Sequence, residues 1–282
     1  MNAVTERIPM ANALPPEPPA VDSPAWRALL ALRRGGASGS EVAAALDGEL
    51  SASERSLVAI YRPLCEVSSD RGFAIAHLAQ SLDGRIATLG GVSRWLSGDE
   101  DLLHTHRMRA LADAVLVGVG TVRFDDPQLT VRRCSGPNPV RVVIDPEFRL
   151  EGAERVFTDP VASTLLLVAA DRAAGRSKLG HAEVLAVSRS LSGDLDPHVI
   201  RRVLAARGLH WLFIEGGGTT VSRFLRAGAL DRLQLTIAPV ILGSGRPAIE
   251  LPAIEDLRDC LRPSTRQFPL GADTMIECVF RD

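Results

Sequence analysis

Short, uninterrupted apolar runs recur along this chain and restrict its architecture more than any other feature. "DAVLVGVG" (113–120), "VRVVID" (140–145), "STLLLVAA" (163–170), "EVLAVS" (183–188) and "HWLFIEGGG" (210–218) are built mainly on Val, Ile, Leu and Ala. Runs this short, bounded by turn residues, fit strands buried on both faces. "FAIAHLAQ" (73–80) reads as a further strand, followed by an Asp83-Gly84 turn. "RLQLTIAPVI" (232–241) and "TMIECVF" (274–280) read as the last two. Helical signals lie between them. Asp196-Pro197 caps and starts a helix through Ala206 that Gly208 stops, and "TTVSRFLRAG" ends at Gly228. Ser97 and Glu100 fit a capping box for a helix through "DEDLLHTHRMRALA", with Leu102, Leu103, His106 and Ala110 near one face. Apolar strands alternating with amphipathic helices predict an α/β layer architecture.

The 282 residues are enough for one or two domains, and a formal net charge of −2 gives no reason to expect nucleic acid or an anionic membrane as partner. No apolar run approaches the roughly 18 residues of a membrane span. Residues 1–25 are proline-rich and aperiodic, lack a secretory pattern, and predict a disordered tail. Residues 26–72 predict an accessory helical segment with no catalytic spacing. Cys65, Cys134, Cys260 and Cys278 form no CxxC, which suggests reduced thiols in a cytoplasm.

Three motifs invite functions that their surroundings deny. "HAE" (181–183) begins like a zinc deaminase, but the pair of cysteines that must follow is absent, so His181 is expected to be a loop residue. "GVGTVR" (118–123) opens like a dinucleotide fingerprint, yet Arg123 replaces the third glycine and "FDDP" is expected to break any helix there. His104 and His106 sit two apart on a helix, face different ways, and are expected to be ordinary helix residues.

Three other stretches carry chemistry. In "EGGG" (215–218), Glu215 ends a buried strand, where α/β proteins bind ligands, and the helix that follows offers free N–H groups to a phosphate. A solvated Glu in a tight turn is the competing reading. "TVRFDDPQLTVRR" (121–133) combines two aspartates with arginines able to fork onto phosphate; a charged surface loop competes. In "HRMRAL" (106–111), Arg109 is expected to reach a cleft while Arg107 faces solvent.

Taken in order, "AQSLDGRIA", "SRWLSG", "RMRALADAVLVGVGTVRFDDPQLTVR", "VRVVID" and "FIEGGGTTVSRFLRAGALDRLQLTIAPVILG" resemble the reductase domain of the riboflavin-pathway deaminase–reductase family over about residues 73–280. The resemblance implies a reductase domain over 73–282 with a dihydrofolate-reductase-like, three-layer α/β fold: a central mixed, mostly parallel sheet flanked by helices. It implies reduction of 5-amino-6-(5-phosphoribosylamino)uracil by NADPH, with no metal. It also implies a homodimer, with "LTIAPVI" near the contact. Cofactor contacts would be Ala79, Trp95, Thr121, Asp125, Gly217, Gly218, Thr219, Thr220, Val221, Ser222 and Arg223, with Pro146 acting through its backbone. Asp125 would assist proton movement as the catalytic residue. Substrate contacts would be Ser93, Arg109, Leu129, Arg132 and Glu215, the two arginines on its phosphate and Glu215 on the pyrimidine. Residues 1–72 are too short for a deaminase half, so a reductase alone is expected. A reductase of a related pyrimidine or pteridine, and a nucleotide-sensing module without turnover, remain alternatives. Arg123, Arg149 and Arg223 are all candidates for the 2′-phosphate of NADPH.

Overall fold

The computed structural model describes residues 22–35, 39–68, 72–94, 96–190 and 193–281. Trp95 and residues 1–21 of the expected tail lie outside the described residues. Residues 22–25 of that tail are described and open a helix, because Ser23 accepts a hydrogen bond from the Trp26 N–H at 3.2 Å and Pro24 suits the first turn. Among the described residues, three helices come first: α1 (Pro24–Arg33), α2 (Gly39–Asp47) and α3 (Ala52–Cys65). The Ser51/Glu54 capping box starts α3.

The chain then enters β1 (Phe73–Ser81), turns at Asp83-Gly84 into β2 (Arg85–Thr88), and forms α4 (Asp99–Leu111). Next come β3 (Ala114–Gly118), α5 (Val119–Asp125), β4 (Val140–Ile144), α6 (Arg155–Thr158), β5 (Thr164–Ala169) and α7 (Ala170–Ala173). β6 (Lys178–Leu179), β7 (Ala182–Val187), α8 (Pro197–Ala205), β8 (Trp211–Glu215) and α9 (Gly218–Arg226) follow. The chain closes with β9 (Arg232–Ala238), β10 (Gly245–Pro247), β11 (Ser264–Leu270) and β12 (Asp273–Val279).

One ten-stranded sheet runs in the order β11-β12-β9-β1-β8-β3-β4-β5-β7-β6. From β9 to β7 every neighbouring pair is parallel, while β12, β11 and β6 join by antiparallel pairing. β10 and β2 form a small separate pair. The expected mixed, mostly parallel sheet flanked by helices is therefore what the chain builds. Strand β8 returns late in the sequence and inserts between β1 and β3. Chain order reverses there, so a crevice opens beyond the C-terminal strand ends.

Side-chain alternation divides the interior into two cores. Phe73, Ile75, Val115, Val117, Trp211 and Phe213 face the layer that includes α1, α3 and α4. Ala74, Ala76, Leu116, Leu212 and Ile214 face α8 and α9 through Ile200, Leu204, Val221 and Phe224. Glu215, continuing the Trp211–Phe213 parity, points to the α4 side.

The described residues of 26–72 contribute side chains to the first core. Trp26 is fully buried, its ring edge-on to Tyr61 at 5.5 Å, and its indole N–H donates to the Ser135 carbonyl at 3.0 Å. Because α1 and α3 cover the outer face of α4, that helix is buried almost all round and shows no single apolar face. Leu102 is exposed, and Arg107, expected in solvent, is buried with its guanidinium over the Trp26 and Tyr61 rings at 5.4 and 5.8 Å. His104 is no ordinary helix position: it is buried between Tyr61 Oη at 2.6 Å and Gln234 Oε1 at 2.9 Å. Burial pushes its imidazole down to about 3, so it stays neutral.

Two local expectations fail for identifiable reasons. The N-cap of α4 is Gly98, not Ser97; no side chain caps this helix, and the Gly98 N–H goes to Asp273 Oδ2 at 2.8 Å across the fold. α5 does form before Pro127, since the restriction before proline falls on Asp126, which ends the helix in a left-handed conformation (φ 40°). Trp26→Ala should remove about 3–5 kcal/mol of stability as a large buried ring is lost. Urea unfolding checks this; a loss under 1 kcal/mol would show that α1 is not part of the cooperative fold.

Candidate active site

The crevice beyond β1, β8, β3 and β4 is a cleft of about 1150 Å³. Of the residues expected in a site, Ala79, Ser93, Arg109, Thr121, Asp125, Arg132, Glu215, Gly217, Gly218, Thr219, Thr220 and Arg223 line it together. Val221, Ser222 and Leu129 do not. Val221 and Leu129 are packed in the two cores, and the Ser222 hydroxyl accepts the Glu250 N–H at 2.8 Å. Trp95 lies outside the described residues.

Arg109 and Glu215 form the centre of one wall. The Arg109 side chain donates from Nε to Glu215 Oε2 at 2.6 Å and from Nη2 to Oε1, a two-pronged pairing of fork and carboxylate. Its Nη1 donates to the Thr130 carbonyl at 3.0 Å. Each of its three nitrogens is engaged once, and its Nε/Nη2 edge is committed to the carboxylate. Of the five N–H groups of Arg109, these bonds take three, so the expected sharing of one anion with Arg132 would fall to the remaining N–H groups. Glu215 keeps lone pairs beyond the two that Arg109 occupies.

Thr130 carries no signal in the sequence, yet it organises this wall. Its carbonyl also receives Arg132 Nη1 at 3.3 Å, and its hydroxyl receives the same group at 2.6 Å. Leu129 sets its direction: its side chain is anchored in the core while its backbone adopts φ 56°. Such a conformation costs ~1–3 kcal/mol in a non-glycine residue and persists only where packing enforces it. His106 accepts the Arg132 backbone N–H at 2.9 Å on Nδ1, which places its own proton on Nε2. Burial, then the Arg109 charge, push His106 down to about 3 and keep it neutral. The remainder of the Arg132 guanidinium is exposed to the cleft. Its pKa is lowered, first by partial burial and then by Arg109, so an anion placed there would relieve a local excess of positive charge.

Asp125, the last residue of α5, stands on the rim, with the Ser93 hydroxyl 3.5 Å from Oδ1. Crowding by the cleft wall raises its carboxyl above the ordinary aspartate value. His77 and Asp101 also line the cleft, joined at 3.0 Å, with Thr236 Oγ1 3.1 Å from the same imidazole nitrogen. Asp101 holds the His77 imidazole above its ordinary value despite burial.

The floor is the turn from β8 into α9. Gly217 caps α9 without any side-chain hydrogen bond, and its own N–H goes to Thr121 Oγ1 at 3.2 Å. The first-turn N–H groups of α9 have no intrahelical acceptor and carry the positive end of the helix dipole. Gly218 is required by close approach: a Cβ would lie 2.5 Å from the Ala248 carbonyl oxygen and 2.6 Å from that of Pro247. An open helix N-terminus in a cleft of this size fits the phosphates of a dinucleotide cofactor. No group of three or more metal-ligating side chains occurs among the described residues.

Comparison with known proteins adds a lineage to this geometry. The model of the RibD C-terminal domain matches residues 73–266. The 2,5-diamino-6-ribosylamino-4(3H)-pyrimidinone 5′-phosphate reductase of Methanothermobacter thermautotrophicus is 36% identical over 73% of this chain and 97% of its own length. Riboflavin biosynthesis protein RibD of Aquifex aeolicus is 33% identical over 74% of this chain, which spans 58% of that protein. The solved deaminase/5-amino-6-(5-phosphoribosylamino)uracil reductase of Thermotoga maritima superposes with a TM-score of 0.65 at 28% identity. That match covers 80% of this chain and 62% of the other.

Arg109→Ala and Glu215→Ala should each lower kcat/KM by about 100-fold, since each leaves its partner misplaced. The double variant should lose no more than the worse single one, because the pair acts as a unit. Steady-state kinetics on the three variants checks this, and additive losses would show that the two side chains act separately.

Proposed function

The chain belongs to the RibD C-terminal domain family, and from that premise we propose that it is a reductase of riboflavin biosynthesis that draws on NADPH to reduce a phosphorylated ribosylaminopyrimidine to its ribitylamino product. One observation carries this reading: the Arg109-clamped carboxylate of Glu215, the Asp125 carboxyl, the free part of Arg132 and the open N-terminus of α9 line a single cleft. Each matches one demand of the reaction, namely a pyrimidine to orient, a proton to move, a substrate phosphate to hold and a cofactor diphosphate to seat.

NADPH supplies the hydride that reaches the first carbon of the opened ribose. Glu215 accepts hydrogen bonds from the pyrimidine N–H groups, and its direction is held by Arg109. Arg132 binds the substrate phosphate, with Thr130 keeping one of its nitrogens in place. Asp125 holds the proton that accompanies reduction, and its raised carboxyl pKa keeps the acid form available above the ordinary aspartate range. Ala79 and Pro146 offer backbone to the cofactor. Thr121 steadies the Gly217 turn, and Gly217, Gly218, Thr219, Thr220 and Arg223 surround the diphosphate. Ser93 lies beside the substrate, and Trp95 is assigned to the cofactor on the resemblance alone. Val221, Ser222 and Leu129 act by holding α9 and Thr130 rather than through side-chain contact.

The substrate is either the uracil or its 2,5-diamino counterpart, which share the ribosylamino 5′-phosphate that Arg132 would read. A homodimer joined near 235–241, where Val240 and Ile241 are exposed, and a cytoplasmic location complete the reading. No described helix is long and apolar enough to cross a membrane.

Loss of NADPH absorbance with each of the two phosphorylated pyrimidines tests the proposal. Turnover of at least one supports it; a flat trace with both overturns it. Arg132→Ala should raise KM for the phosphorylated substrate about 10–100-fold while sparing a dephosphorylated analogue, as expected for loss of a charge-assisted hydrogen bond. The pH profile has a defined sign as well. kcat should fall as pH rises through the elevated Asp125 pKa, and Asp125→Asn should remove that limb. A profile unchanged in the variant would take the proton role away from Asp125.

A further inference from the structure

The cleft extends beyond the groups assigned to the substrate. Past Gly120 it continues over the end of β4, where Pro146, Glu147, Arg149, Asp194 and Arg223 line it. In the sheet order β8-β3-β4 the end of β4 stands two strands away from the end of β8 that carries Glu215. A dinucleotide with its diphosphate on α9 and its nicotinamide beside Asp125 would lay its adenosine toward this β4 end of the cleft. The inference therefore rests on the functional reading above.

An acidic residue at a strand end near the adenosine ribose favours a free 2′-hydroxyl, whereas a nearby arginine accommodates a 2′-phosphate. Both residue types occur here, and the structure separates their roles. Asp145, at the end of β4, is fully buried, and its Oδ2 accepts the backbone N–H groups of Arg149 at 2.5 Å and Leu150 at 2.9 Å. Its charge is thus spent on shaping the 145–150 turn, in which Phe148 takes φ 53°. Glu147 is held between Arg172 at 3.0 Å and Arg189 at 2.7 Å, and its carboxyl lies below the ordinary value, with the Arg189 hydrogen bond as leading cause.

The same turn brings Arg149 to the cleft with half of its side chain exposed. Its Nε lies 3.5 Å from Asp145 Oδ1, and neither of its terminal nitrogens has a hydrogen-bond acceptor among the described residues. The two other arginines singled out in the sequence are less suited. Arg123 does not line the cleft, and Arg223 Nη2 is paired with Asp194 Oδ1 at 3.0 Å. We infer that Arg149 is the residue that selects a 2′-phosphorylated adenosine, and hence NADPH over NADH, with its two terminal nitrogens forking onto the phosphate.

Titration calorimetry of the full chain with 2′,5′-ADP and with 5′-ADP tests this without turnover. The unaltered protein should bind 2′,5′-ADP about 10–100-fold more tightly, the span expected of charge-assisted hydrogen bonds. Arg149→Met should abolish that ratio while 5′-ADP still binds, which also shows that the variant is folded. Arg223→Met should leave the ratio intact even if it weakens both ligands. Equal binding by the unaltered protein, a ratio that survives Arg149→Met, or one that Arg223→Met removes would each overturn the inference. The two proposals fail separately. Turnover of the pyrimidine with NADH and no 2′-phosphate preference would keep the reductase and discard Arg149. An intact preference without pyrimidine turnover would do the reverse.

Discussion

The two-pronged contact between Arg109 and Glu215 joins three segments that have no local reason to meet: helix α4, the end of β8 and the loop through Thr130. Glu215 is brought there by strand parity, Arg109 by the packing of α4 on the sheet, and Thr130 by the enforced left-handed backbone of Leu129. Removing one member leaves the other part-buried without its partner, which costs more than the about 0.5–1.5 kcal/mol of an ordinary hydrogen bond. The pair thus acts as a strut whose exposed edge is also a recognition surface. The cleft needs no separate scaffold to orient its carboxylate.

The N-terminal helices support that strut from behind. α1 and α3 enclose α4, and this enclosure explains why a helix rich in His and Arg can sit inside the protein at all. Tyr61 and Gln234 take the two nitrogens of His104; Gln234 then donates to Glu277 at 2.9 Å, and Glu277 is met by Arg232 and Arg266. Polar groups bridge the core from α3 to β12 with their charges paired, as burial demands. Rigidity of α4, and so the aim of Arg109, depends on this covering layer.

The buried strands were legible in the sequence because a parallel strand covered on both faces has a continuous apolar signature. The glycine turn after β8 was legible too, since a carboxylate followed by three glycines and a helix leaves few alternatives. The strands β2, β6, β10 and β11 were not, being short or largely exposed. Arg107 and His104 were misjudged for a single reason: nothing within α4 announces that a second helical layer will cover it. The engagement of Arg109 with Glu215 was equally hidden, because a charged residue's partner 106 positions away leaves no local trace.

By itself the sequence determined the layered architecture, the order of its strands along the chain and the residue types available at their ends. These follow from local periodicity and turn chemistry, which act over a few residues. Only the tertiary structure decided which charges are spent on one another and which are left for a ligand. It turned Asp145 inward and Arg149 outward, and it tied Arg109 down while leaving part of Arg132 free. Ion pairing and burial are settled by distances between segments far apart in the chain, and those distances exist only once β8 has inserted between β1 and β3.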